Sequence, residues 1–332
     1  MSNNIIFVMP PQGTSGAVPL EFLLQKYPVF DKFYSQTESY FLTQGYSKEE
    51  IFCNFSNPNE SSAISSHPFI YFWSVAMASL YIEFGIMPNT ILGHSLGEFA
   101  ALTVAFDTDY TDMLHFVTKR AKMLDEISQR HNKGAMCHVL LPNTELENII
   151  SPLKNISIAS INSANSCVVS GDSNEIVLLE KICDKQQIPH KRLRVPHAAH
   201  SPMLRDIDFS SLPFPKIKKK EKKIFPFSPF FSVFLSSGID IDHFNMENYP
   251  NFQAKNIANF YSAFSKMQTS YKNPICIEIS VHSTLKSACL ANGATEHIGA
   301  SALPCYVPNL SREECFYQAI ENNLAKLRRL NQ

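Results

Sequence analysis

Charge is scarce and evenly split in this chain. Only 18% of its 332 residues are charged, with 29 Lys and Arg against 30 Asp and Glu, for a formal net charge of −1. That balance leaves no overall electrostatic footprint for nucleic acid. Long apolar runs are missing too. The longest, from Phe69 towards Met87, is interrupted by Ser74, Ser79 and Glu83, whereas a membrane span needs about 20 predominantly apolar residues. The N-terminus, MSNNIIFVMPPQG, has no basic region ahead of its short apolar run and does not read as a secretory leader. The eight cysteines are scattered with no Cys-x-x-Cys pair, a pattern suited to reduced thiols rather than to a disulfide framework or a zinc site. No internal repeat, heptad run or low-complexity tail is present. What is left is a cytoplasmic globular protein with no metal, no membrane and no nucleic acid. Its length suggests one large domain, or a large one carrying a smaller insert.

The chain alternates strand and helix signals. Residues 5–9 (IIFVM) read as a buried strand ended by PPQG, and residues 67–84 and 97–127 carry helical apolar spacing. Between those helices, NTILGHSLGE runs from a short strand through a Gly-flanked turn into the second helix. This order predicts an α/β fold with a mostly parallel sheet. Residues 130–196 have their own rhythm: strand 134–141, helix 144–153, strands 156–162 and 167–172, helix 173–186, strand 190–196. The order β-α-β-β-α-β is that of the ferredoxin-like unit. Asp172 and Glu175 predict a capping box on the helix from 173. The division expected is a large core of residues 1–129 and 197–332, with a small subdomain at 130–196. A basic run over residues 216–223, opened by Lys216 and closed by Lys223, reads as an exposed crossing segment.

Gly93-His94-Ser95-Leu96-Gly97 matches G-x-S-x-G between a predicted strand and a predicted helix, which is the setting of a nucleophile elbow. The glycines allow a sharp turn, and the helix N-terminus favours the negative charge that develops on an attacked carbonyl. A serine hydroxyl needs a base. His94 is adjacent but would point the wrong way across the turn. His197 and His200, in HAAHSPML after the 190–196 strand, stand where a base belongs, and the residues alone do not choose between them.

These segments, in their order and spacing, carry a resemblance. FVMPPQGTSG, HPFIYFWSVAMASLYIEFGIMPNTILGHSLGEFAAL, KRAKML, INSANSCVVSG, HAAHSPML, SPFFSVFLSSG, ICIEISVHSTL and LPCYVPNLSREE together resemble the malonyl-CoA:acyl-carrier-protein transacylase family, including the acyltransferase domains of polyketide synthases, over nearly the whole chain. The resemblance implies a hydrolase-like α/β core with a ferredoxin-like insert. It implies Ser95 as the acyl-accepting serine and His200 as the base. It implies backbone N–H groups of Gln12 and Leu96 as the oxyanion hole, and Arg120, 25 residues after Ser95, as the carboxylate-binding arginine. Asn162, His94, His197 and Ala199 fall at substrate-lining positions, and Gln253 falls where a main-chain carbonyl orients the histidine. A planar guanidinium suits a malonyl carboxylate because it offers two parallel charge-assisted hydrogen bonds.

Several positions depart from the family pattern. Pro11 and Ser15 stand where Gly and Gln are usual, and His67 stands where a Gln precedes the proline. Ser280 and Val281 replace the usual Gly-Pro ahead of His282, and Tyr249-Pro250 replaces a Tyr-Trp pair. The selectivity motif is His197-Ala198-Ala199-His200 rather than His-Ala-Phe-His, leaving space beside the acyl α-carbon, while Leu96 is malonyl-like. One methyl in an apolar pocket is worth only about 1–3 kcal/mol, so malonyl with weak discrimination against small α-substituents is expected. The function implied is a ping-pong transfer of malonyl from coenzyme A, through acyl-Ser95, to the phosphopantetheine thiol of an acyl carrier protein, without metal or redox cofactor. Polyketide or fatty-acid synthesis is the setting. Met1 just ahead of the first strand suggests a free-standing, trans-acting enzyme, and the run from Lys216 to Lys223 suggests a docking face for an acidic carrier. The alternatives are an acyl hydrolase of the same fold, which would lack Arg120, a general serine esterase, and a non-catalytic docking module.

Overall fold

The computed structural model describes residues 4–106, 108–130, 134–195, 197–217, 232–239, 247–299 and 311–330. Strand β1 (Asn4–Met9) is followed by helices α1 (Leu20–Lys26), α2 (Pro28–Thr43), α3 (Lys48–Ser56) and α4 (Ala63–Glu83). Then come β2 (Thr90–Gly93), α5 (Gly97–Ala105) and α6 (Tyr110–Arg130). A second group follows: β3 (Gly134–Val139), α7 (Asn143–Ile150), β4 (Ile156–Ser163), β5 (Ser166–Asp172), α8 (Ser173–Gln186) and β6 (His190–Arg192). The rest is β7 (Ser232–Leu235), α9 (Tyr249–Lys255), β8 (Ala258–Asn259), α10 (Phe260–Ser270), β9 (Pro274–Glu278), α11 (Lys286–Ala291), β10 (Glu296–Gly299) and α12 (Arg312–Leu330).

The first sheet has the order β10-β9-β1-β2-β7, with every pairing parallel. Successive side chains of a strand point to opposite faces, and β1 shows it. Ile5, Phe7 and Met9 enter a large core with α4, α5 and α6, while Ile6 and Val8 pack with Phe260, Phe264 and Leu285 on the other side. Helix α4 is buried on nearly every side, as expected of a helix apolar all round. Its N-terminus is capped from outside. Asp125 on α6 accepts the N–H groups of Ala63 and Ile64 at 2.9 and 3.0 Å and the Ser62 hydroxyl at 3.0 Å.

The second sheet runs β6-β3-β5-β4-β8. Its first four strands, taken in chain order as 4-1-3-2 across the sheet, pair antiparallel, which is the ferredoxin-like arrangement. The fifth, β8, comes from beyond residue 196 and joins β4 in parallel. Thus the small sheet is completed by the larger part of the chain.

Three expectations need correction. The apolar stretch 97–127 is two helices, because the chain turns extended at Phe106 (φ −118°, ψ 170°) and α6 restarts with Asp109 Oδ1 accepting Asp112 N–H at 2.9 Å. The strand expected over 190–196 stops at Arg192. The capping box at Asp172 is half made. Asp172 Oδ1 accepts from Asn174 and Glu175 N–H, but the Glu175 carboxylate turns to the N–H groups of Lys154 and Asn155. Of the basic run, Lys216 is exposed and residues 218–223 lie outside those described. Among the described residues, no helix is long and apolar enough to cross a membrane.

Candidate active site

Parallel strands bring their C-terminal ends to one edge of the sheet, and open α/β sheets bind ligands there. Gln12 follows β1, Ser95 follows β2 and Ser236 follows β7. The turn at Ser95 is sharp: the serine has φ of +51°, a conformation that costs a non-glycine residue on the order of 1–3 kcal/mol. Its neighbours allow the close approach. A Cβ on Gly93 would come within 2.7 Å of Glu98 Cα, and one on Gly97 would run into the Met9 carbonyl.

Several hydrogen bonds hold this backbone. His94 N–H reaches Met9 O at 3.1 Å, and Gly97 and Glu98 N–H close onto His94 and Ser95 carbonyls at 2.9 Å each. Ser95 N–H donates to Ser236 Oγ at 2.9 Å, and that hydroxyl donates to Glu98 Oε1 at 2.8 Å. The buried Glu98 carboxylate also takes Ser237 N–H and hydroxyl and the Tyr249 hydroxyl, at 2.6, 2.9 and 2.6 Å. Burial pushes its pKa up while these donors oppose the rise.

Ser95 Oγ lies 2.7 Å from His200 Nε2. On the other side of the ring, Nδ1–H donates to the Asn256 carbonyl at 2.8 Å, so the nitrogen facing Ser95 is the one free to accept a proton. This corrects the expectation for Gln253. Residue 253 is inside α9, whereas Asn256 ends that helix in an extended conformation (φ −92°, ψ 162°) with its carbonyl turned to the histidine. The Gln253 side chain instead accepts from Arg120 Nη2 at 3.3 Å. Burial first, then the Arg120 charge, pull the His200 pKa down to about 3. The ring is therefore neutral.

A cavity of about 610 Å³ opens over Ser95 and His200, and Gln12, His94 and Asn162 share its wall. His94 Nε2–H donates to Asn162 Oδ1 at 2.9 Å and its ring stacks on Phe260 at 5.1 Å, so these two expected site residues are paired with each other. Leu96, Arg120, His197, Ala199 and Gln253 are buried, none more than 3% exposed, and do not line this cavity, contrary to the lining positions expected of His197 and Ala199. Arg120 lies 5.6 and 6.0 Å from the ring centroids of Phe99 and Phe209, with its Nε–H buried and without an acceptor. Burial lowers its pKa to about 10, and the guanidinium has no carboxylate within ion-pair distance among the described residues. The backbone N–H groups of Gln12 and Leu96 likewise have no hydrogen-bond partner among the described residues. Nor is any group of three His, Cys, Asp or Glu placed there to hold a metal ion.

The chain has known relatives. The family model for the acyl transferase domain matches residues 6–329. The chain belongs to the acyl transferase domain family. It is 31% identical over 209 residues to the non-reducing polyketide synthase ZEA1 of Gibberella zeae, covering 62% of this chain and 10% of that protein. It is 26% identical over 339 residues to the non-reducing polyketide synthase PKS16 of Cladonia grayi, covering 97% and 15%. The chain thus spans only a small part of the length of these relatives. Its fold is shared with a loading acyltransferase of the avermectin modular polyketide synthase, at TM-score 0.79, 21% identity, and 98% and 100% coverage. The malonyl-CoA:acyl carrier protein transacylase of Helicobacter pylori has it too, at TM-score 0.77, 16% identity, and 98% and 99% coverage. As a member of that family, the chain has the strand-turn-helix at Ser95 that the sequence announced. Ser236 and Asn256 escaped that reading because each acts from a distant loop or helix end, and Glu98, three residues after Ser95, because its partners Ser236, Ser237 and Tyr249 are distant.

Proposed function

We propose that this acyltransferase moves a malonyl group from coenzyme A to the phosphopantetheine thiol of an acyl carrier protein, in polyketide or fatty-acid assembly in the cytoplasm. The observation that carries the substrate choice is Arg120, a buried guanidinium with an unused Nε–H whose charge is felt at His200. A malonyl carboxylate meets both needs of that group, countercharge and a planar pair of acceptors.

In the first half-reaction, His200 Nε2 takes the Ser95 proton as Oγ adds to the thioester carbon. The N–H groups of Leu96, at the start of α5, and of Gln12 receive the oxyanion, each donor worth about 2.7–4 kcal/mol when lost. The C–S bond then breaks, and His200 returns the proton to the coenzyme A thiolate. In the second half-reaction His200 takes the proton of the carrier thiol as its sulfur adds to the acyl-Ser95 carbon, the C–Oγ bond breaks, and the proton returns to Ser95 Oγ. The Asn256 carbonyl steadies the imidazolium that forms between them. No metal or redox group enters this scheme.

The test is intact mass after incubation with malonyl-CoA, followed by addition of a holo carrier protein. The expected result is a malonyl adduct that is absent in Ser95→Ala and moves to the carrier. An adduct lost to water, with none reaching any carrier, would make the protein a hydrolase instead.

A further inference from the structure

Gln12 is held by its side chain. Its Oε1 accepts from His67 Nε2 at 3.1 Å and from His197 Nε2 at 2.5 Å, while its Nε2 reaches Met136 Sδ at 3.1 Å. These contacts come from α4, from the segment after β6 and from β3, so they fix the amide from three directions. Little else does. Gln12 makes no backbone hydrogen bond among the described residues, and the loop's own tie is Thr14 Oγ1 to the Pro11 carbonyl at 2.9 Å. Gly13 next to it is exposed at φ +80°, and a Cβ there would meet only Val195, at 3.9 Å. The chain is open at Gly13, while Thr14 and Ser15 beyond it are buried and Ser15 Oγ donates to Glu60 Oε1 at 3.4 Å, so the glutamine's own contacts are what hold residue 12.

The two imidazoles are a matched pair. Their rings cross at 77° with centroids 5.2 Å apart, both are buried, and both Nδ1 atoms lack a partner. A neutral ring has a single N–H, and here both rings spend it on the same carbonyl oxygen.

We propose that His67 is a positioning residue: together with His197 it clamps the Gln12 side chain and thereby sets the Gln12 backbone N–H beside Ser95. This rests on the acyl-serine reading above, in which that N–H receives the oxyanion. His67 is the informative member of the pair. It makes no hydrogen bond to Ser95 or His200 among the described residues, whereas His197 is three residues from His200, so a change there reaches the base as well.

The test follows acylation of Ser95 in the full chain by rapid quench and intact mass, with malonyl-CoA and, separately, with a fluorophosphonate probe. A displaced donor costs less than a lost one, so His67→Leu is expected to lower kcat for malonyl loading on the order of 10- to 100-fold, with KM for malonyl-CoA unchanged. His67→Gln, which keeps an N–H for the clamp, is expected to recover the rate to within about threefold on the same reasoning. Gln12→Met, which removes the clamped carbonyl and keeps the backbone N–H, is expected to match His67→Leu. It decides the question if His67→Leu fails to fold. The proposal is overturned if Gln12→Met or a folded His67→Leu loads at the wild-type rate, if His67→Gln is as slow as His67→Leu, or if the loss falls on KM. Should the wild type take no malonyl yet be phosphonylated at Ser95, the malonyl reading fails alone and the phosphonylation rates decide the clamp. If Ser95 reacts with neither reagent, both fail.

Discussion

The hydroxyl of Ser236 accepts the backbone N–H of Ser95 at 2.9 Å and passes its own hydrogen to Glu98. That single side chain ties the end of β7 to the strained turn after β2. Its removal leaves a buried N–H without an acceptor, and the carboxylate of Glu98 loses a donor. An unsatisfied buried group of this kind costs about 1–3 kcal/mol. Ser236→Ala is therefore expected to lower stability by that amount and to slow acylation of Ser95, because this bond holds the N–H of its left-handed backbone. Urea denaturation and burst-phase acylation kinetics, measured on the same preparation, check both halves.

Four buried imidazoles make the fold sensitive to acid. Burial is the first cause at each: it pulls His94 and His197 down to about 4 and His200 to about 3, and it holds His67 well below the ordinary histidine range. The folded state then binds fewer protons than the unfolded chain, in which histidine titrates near 6.5. Stability is fully present above about pH 6.5 and is lost as pH falls towards about 4, each imidazole contributing up to about 1.4 kcal/mol per pH unit. Melting temperatures taken from pH 7.5 to pH 5 should fall steeply below pH 6.5. A flat profile across that range would contradict buried neutral rings.

The same low pKa predicts that His200 stays a competent base well below pH 6.5. Brief acylation reactions started by a pH jump should keep their kcat/KM to lower pH than an ordinary histidine allows, with the acid limb displaced downwards. A limb centred near 6.5 would mean that the ring is solvated in the working enzyme.

Asp125 joins the helix that carries Arg120 to the start of α4, accepting two backbone N–H groups and the Ser62 hydroxyl. A carboxylate at a helix N-terminus answers both the free donors and the dipole. Asp125→Ala is expected to cost about 1–2 kcal/mol in urea denaturation, with Asp125→Asn losing less.

The elements that local signals define were legible. GHSLG between strand and helix placed Ser95, and the order of periods over 134–196 gave the ferredoxin-like sheet. Signals for further helices are also present in the sequence: Ser47 and Glu50 form a reciprocal capping box at the start of α3. What could not be read was tertiary. Nothing local in TVAFDTD shows that Phe106 turns extended, and the Asn256 carbonyl becomes available only because α9 stops one residue earlier. The clamp on Gln12 joins residues 55 and 185 positions away, so no spacing rule reaches it. The parallel β8–β4 pairing, which extends the small sheet with residues from outside it, is hidden for the same reason.

The buried guanidinium of Arg120, which donates to Gln253 and has no carboxylate partner among the described residues, is proposed to select a carboxylated acyl group. The most direct measurement is the ratio of kcat/KM for malonyl-CoA to that for acetyl-CoA, in wild type and in Arg120→Ala. Charge-assisted hydrogen bonds are worth about 1.5–3 kcal/mol, so the ratio should fall by roughly one to two orders of magnitude, chiefly through lost malonyl loading with acetyl loading kept or improved. An unchanged ratio would show that Arg120 does not read the carboxylate.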